Sequence, residues 1–143
     1  PWALLVGKGY FALIDNEGVC LETRTSLDMS AWPLITLDNA PPRLRPGQRL
    51  DPRSIKALRL IIDRVPAELA KSISEYHCSS DGQATIYTLD GVEVRIGPPE
   101  RLDEKMQYFA EAMKLDREDG PENSLASIDL RYEGQPVVRY KHR

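Results

Sequence analysis

Thr85-Ile86-Tyr87-Thr88-Leu89-Asp90-Gly91-Val92-Glu93-Val94-Arg95-Ile96 is the stretch whose reading decides the fold. Two runs of β-branched, aromatic and aliphatic residues flank Asp90-Gly91, a pair that tolerates the positive φ angles of a tight hairpin turn. A two-residue loop there predicts Leu89 opposite Val92, Tyr87 opposite Val94 and Thr85 opposite Ile96. These six residues would then share the core face, with Glu93 and Arg95 on a wet face. A sheet with one apolar face needs a second layer to cover it.

Upstream, the chain opens as a meander. Trp2-Ala3-Leu4-Leu5-Val6, Tyr10-Phe11-Ala12-Leu13-Ile14 and Val19-Cys20-Leu21-Glu22-Thr23 read as strands, separated by Gly7-Lys8-Gly9 and Asp15-Asn16-Glu17-Gly18. In Ala31-Trp32-Pro33-Leu34-Ile35-Thr36, the proline lacks an N–H, which predicts a segment away from the centre of a sheet. Pro41-Pro42-Arg43-Leu44-Arg45-Pro46-Gly47 reads as an irregular connector. Asp51-Pro52 starts a helix, an N-cap acceptor followed by proline at the first helical position. Ile55, Leu58, Ile61, Ile62 and Val65 form its apolar stripe, and Pro66 ends it. Ser72-Ile73-Ser74-Glu75-Tyr76 alternates as a short strand.

Downstream, Gly97-Pro98-Pro99 stops the hairpin. Leu102, Met106, Phe109 and Met113 then recur at helical spacing, which favours a core-facing helix. Asp116 to Glu122 reads as a loop. Ser127-Ile128-Asp129-Leu130-Arg131-Tyr132 is an amphipathic strand, and Glu133-Gly134-Gln135-Pro136 turns the chain into Val137-Val138-Arg139-Tyr140. The basic Lys141-His142-Arg143 closes the chain. The expected fold is therefore α+β, an antiparallel-rich β-sheet with two helices packed on it, forming a single domain over residues 1–143.

The totals agree with one globular domain. The chain has 143 residues, 41% hydrophobic and 29% charged, enough to remove roughly two-thirds of its unfolded surface from water without a metal or disulfide staple. Its 19 basic and 22 acidic residues leave a net charge of -3, which gives no electrostatic footprint for nucleic acid. Arg43, Arg45, Arg49 and Arg53 lack interleaved aromatics and read as a solvated loop face. No apolar run is long enough to cross a bilayer. A chain beginning at Pro1 is expected to be a processed protein or a piece of a longer one.

Parts for catalysis are missing. His77 and Cys78 are neighbours on a strand, so their side chains point to opposite faces and form no nucleophile–base pair. His142 lies in the basic tail. Two histidines and two cysteines are too few for metal ligation, and Gly7-Lys8-Gly9 lacks the spacing of a phosphate loop. Glu100, Asp103 and Glu104 sit where a helix dipole favours carboxylates. Cys20 and Cys78 read as core residues, although a bridge between them remains open. No cofactor, metal or catalytic residue is expected.

Four segments, taken in order, resemble the extracytoplasmic β domain of the FtsQ/DivIB family of bacterial cell-division proteins. Residues Tyr10 to Val19 resemble its opening "aLID–GV" hairpin. Trp32-Pro33-Leu34-Ile35-Thr36 is similar to "LPxLTG", departing at Trp32 and lacking the glycine after threonine. Asp90 to Gly97, with the helix through Lys105, resembles the family's hairpin, "lG" and "eKl" helix. Ile128-Asp129-Leu130-Arg131-Tyr132 with Pro136 to Arg139 resembles the closing "IDLR" strands.

That resemblance implies a single-pass protein of the cell membrane with this domain on the extracytoplasmic face at the division septum. A membrane helix and a POTRA domain would lie upstream. It implies a non-catalytic divisome scaffold that binds FtsB/DivIC-like and FtsL-like bitopic division proteins during septum formation. The partner is expected to add a strand at the closing strands. Arg131, Tyr132, Glu133, Gly134, Val137, Val138, Arg139 and Tyr140 are the expected contact residues, whereas Ile128 and Leu130 are assigned to the core. The alternative is a general extracytoplasmic ligand-binding or adhesion domain sharing the fold.

Overall fold

The structure, a computed structural model, describes residues 1–26, 31–119 and 124–141. Nine strands form one sheet: β1 (Ala3–Val6), β2 (Phe11–Ile14), β3 (Cys20–Arg24), β4 (Leu34–Leu37), β5 (Ile73–Cys78), β6 (Ala84–Thr88), β7 (Glu93–Gly97), β8 (Leu125–Asp129) and β9 (Val137–Tyr140). Their spatial order is β3-β2-β1-β4-β5-β6-β7-β8-β9. Among the described residues three helices join them: α1 (Pro52–Arg64), the single-turn α2 (Ala67–Ala70) and α3 (Leu102–Asp119).

The sheet is mixed, which corrects the antiparallel-rich expectation. Hairpins make β1–β2, β2–β3, β5–β6, β6–β7 and β8–β9 antiparallel. β1–β4, β4–β5 and β7–β8 are parallel. The β4–β5 and β7–β8 steps are bridged by α1 with α2 and by α3, because parallel neighbours need a crossover rather than a tight turn. The sequence also offered two helices where there are three, since the four residues after Pro66 coil into one more turn.

Three further expectations are corrected. Pro33 does not keep its segment off the sheet centre. It stands just before β4, where its carbonyl accepts the Leu4 N–H at 2.9 Å, and β4 lies between β1 and β5. The hairpin loop is Leu89-Asp90-Gly91, three residues rather than two. Thr88 donates its N–H to the Val92 carbonyl at 3.0 Å and its hydroxyl oxygen accepts the Val92 N–H at 3.0 Å, while Gly91 takes φ 83°. The register therefore pairs Ile86 with Val94, Tyr87 with Glu93 and Thr85 with Arg95. One residue of slip exchanges the faces of β6 alone: Ala84, Ile86 and Thr88 are buried and Leu89 is exposed, while Val92, Val94 and Ile96 are buried as expected. Finally, α3 continues through Asp119, where a loop was expected from Asp116; residues 120–123 lie outside the described residues.

The helix start is as read, with Asp51 accepting the Arg53 N–H at 3.0 Å. Ile55, Leu58 and Ile61 of α1 and Met106, Phe109 and Met113 of α3 share one buried cluster with Ile35, Ile86, Val94 and Ile128 of the sheet. Gly18 belongs to this contact. It takes φ 86°, and a Cβ there would lie 2.7 Å from Ile55 Cγ1, so the β2–β3 turn meets α1 without room for a side chain. Cys20 and Cys78 are both free and buried.

Candidate functional site

Among the described residues β9 is an edge strand, paired with β8 alone, and all four of its residues are exposed. Lys141 donates its N–H to the Ser124 carbonyl at 2.9 Å. Alternation along β9 therefore turns the N–H and C=O of Arg139 and Val137 toward β8, and those of Val138 and Tyr140 outward. Such an outward row of donors and acceptors, with no partner among the described residues, is a template for another strand.

The expected contact residues cluster around that edge. Tyr132 is 71% exposed, and Val137, Val138 and Tyr140 are exposed apolar residues on β9. Glu133 and Gly134 lie exposed in the β8–β9 connection, with Gly134 at φ 98°. Arg139 is exposed as well. Arg131 is less free than its neighbours. Its guanidinium forks onto Asp129, with Nε to Oδ1 at 2.9 Å and Nη2 to Oδ2 at 2.7 Å, and lies 5.2 Å from the Tyr132 ring centroid. That fork holds the Asp129 carboxyl below the usual carboxylate range and pushes the guanidinium value up. Ile128 and Leu130 are buried core residues.

The connection is anchored from beneath. Lys105, almost fully buried, donates Nζ to the carbonyls of Ile96 at 2.7 Å and Pro98 at 3.1 Å. Burial, with the nearby Arg101 charge, pushes its amine below the ordinary lysine value. Arg101, at φ 52°, donates to the Arg131 carbonyl at 3.2 Å. Gly97 leaves room for Arg131, whose Cγ would lie 3.1 Å from a Cβ placed there. Sequence reasoning marked this lysine as part of a helix motif and missed its work: the signal was a cation on the helix's apolar side.

It also missed a groove of about 310 Å³ between α3 and β9. Tyr108, Ala112, Leu115, Leu125, Val138 and Tyr140 line it. Val138 and Tyr140 thus offer backbone groups along the edge and side chains into a largely apolar furrow beside it. Leu115, on the α3 wall of this groove, is exposed. No single residue in the sequence marks such a furrow, since it is made by the spacing between two elements.

The family described as cell division protein FtsQ/DivIB, C-terminal, matches residues 3–131 of this chain. The chain belongs to that family. The match spans everything from β1 to Arg131 and stops one residue before Tyr132, so β9 lies beyond it. No curated protein matches the chain. FtsQ/DivIB membership carries a role in cell division and places the domain among non-enzymatic division proteins. Among the described residues, no helix is long and apolar enough to cross a membrane.

Proposed function

We propose that this FtsQ/DivIB domain is a non-catalytic divisome scaffold on the extracytoplasmic face of the cell membrane at the septum. It binds FtsB/DivIC-like and FtsL-like partners by accepting a strand along β9. The observation that carries the reading is the edge itself, with the outward backbone groups of Val138 and Tyr140 beside an apolar furrow. A partner strand laid there satisfies those groups in register and sets alternate side chains into the furrow. Tyr132 contributes an amphipathic ring at the end of the same edge.

The test is direct binding of an FtsB/DivIC-like ectodomain to immobilised domain. Tyr132→Ala is expected to weaken binding tenfold or more, roughly the scale of an aromatic anchor. Val138→Pro removes an outward N–H and no bond to β8, and is expected to abolish strand addition. Both variants should melt within about 2 °C of the parent, as exposed positions do. Undiminished binding by both would sink the reading. Saturable binding of a cell-wall fragment, with no affinity for a coiled-coil partner, would favour the ligand-binding alternative.

A further inference from the structure

The sheet has a second open edge, β3, at the end opposite β9. Its first residue is already occupied: Cys20 donates its N–H to the Gln48 carbonyl and accepts from the Gly47 N–H, both at 2.8 Å. Among the described residues, none covers those that follow. Gly7 donates to the Tyr10 carbonyl at 2.9 Å, so alternation gives Ala12's backbone bonds to β1. Thr23, which stands opposite Ala12 on the other side, therefore directs its own N–H and C=O to the free edge.

The side chains along this edge read Leu21-Glu22-Thr23-Arg24-Thr25. Glu22 and Arg24 are 46% and 47% exposed and pair with each other along the strand. Rotating a second copy about a two-fold axis through Thr23 gives an antiparallel pair. Thr23 then meets its own counterpart, Glu22 meets the second copy's Arg24, and Arg24 meets its Glu22. The two threonines exchange N–H···O bonds across the axis. Opposite charges directly across an antiparallel pair stabilise it, and like charges oppose it. The loop over Cys20 blocks overlaps that run past Leu21, and of the registers left the one centred on Thr23 is the one in which these charges match.

An apolar contact completes the match. Leu21 is 42% exposed, and in this register it comes opposite the second copy's Thr25. Thr25 borders a hollow lined by Tyr10, Thr23, Arg24, Thr25 and Ser26. Each copy's Leu21 thus reaches the rim of the other's hollow.

We propose that β3 is a self-complementary edge through which two copies of this chain pair antiparallel about Thr23. Charges on an edge strand ordinarily discourage pairing, but the +2 spacing of Glu22 and Arg24 turns that discouragement into selectivity for a second copy. Five residues per strand bury less surface than a stable dimer needs, so the association is weak and driven by concentration.

Sedimentation velocity of the 143-residue chain, over a concentration series reaching about 1 mM, tests this in the range expected of a weak interface. A reversible monomer–dimer equilibrium is expected. Glu22→Arg or Arg24→Glu alone, each setting like charges across the pair twice, should weaken it roughly tenfold or more, and the double variant E22R/R24E should restore it. Thr23→Pro, which leaves the β2 bonds intact, should abolish it. A monomer at every concentration overturns the proposal. So does a dimer indifferent to charge reversal and to Thr23→Pro, or one lost with Val138→Pro instead, which would place the self-association at β9.

Discussion

Lys105 shows how one residue can look like surface chemistry and behave as core. A lysine is rarely fully buried unless its ammonium is bonded, and here two backbone carbonyls take it. Lys105→Met keeps the volume and drops the bonds, taking the charged donor from both carbonyls, of which Pro98 keeps only the Glu100 N–H at 2.8 Å. We expect a loss of about 2–4 kcal/mol in urea denaturation, given the strength of charge-assisted bonds. Asp129 offers a prediction in pH. Its folded value lies below its unfolded one, so the Arg131 fork stabilises the fold at neutral pH. That contribution fades as pH falls below about 4, through the folded value. The difference in melting temperature between parent and Asp129→Asn should be largest near pH 7 and shrink by pH 3. An equal gap at both would assign the effect to shape rather than charge.

At the scale of elements, the β6–β7 hairpin separates what local rules reveal from what they miss. Asp90-Gly91 announced a turn, and there is one. The faces of β6 came out exchanged, while those of β7 came out as read, because Thr88 uses its hydroxyl to hold Val92 and so lengthens the loop by one residue. Alternation cannot report this, since Thr85, Tyr87 and Leu89 are as strand-like as Ala84, Ile86 and Thr88. The registers differ in a simple measurement. With Leu89 exposed, Leu89→Ser should change stability by less than about 0.5 kcal/mol, whereas a core leucine would cost several-fold more. Helices were more legible. Asp51-Pro52 supplies a cap and the Leu102-Met106-Phe109-Met113 stripe a helical period, and each lies where those signals put it. Pro33 misled because its effect depends on whether it precedes a strand or interrupts one.

For the whole molecule, the family was legible from motifs in order, and the class of fold from alternating strands and helices. Strand order was not. The parallel steps beside β4 and between β7 and β8 arise from where the crossovers land, and no residue states that. The candidate edge was half legible. Ile128-Asp129-Leu130-Arg131-Tyr132 announced an amphipathic strand, and Ile128 and Leu130 are buried as its alternation puts them; β8 ends at Asp129, however, so Tyr132, which the same alternation puts on the buried face, lies exposed in the connection instead. The furrow with Tyr108 and Leu115 was invisible, because it depends on how α3 lies against β9.

The sheet neither closes nor folds back into a second sheet; its nine strands lie side by side from β3 to β9. At about 4.8 Å between neighbours, eight steps put its two ends about 40 Å apart, measured through hydrogen-bonded backbone. That makes the domain a ruler. Anything gripped at one end is held at a set distance from anything gripped at the other, through a path with no flexible linker in it. The spacing changes only if a strand is lost or gained, so it is an inherited length of the molecule rather than a property of whatever it holds.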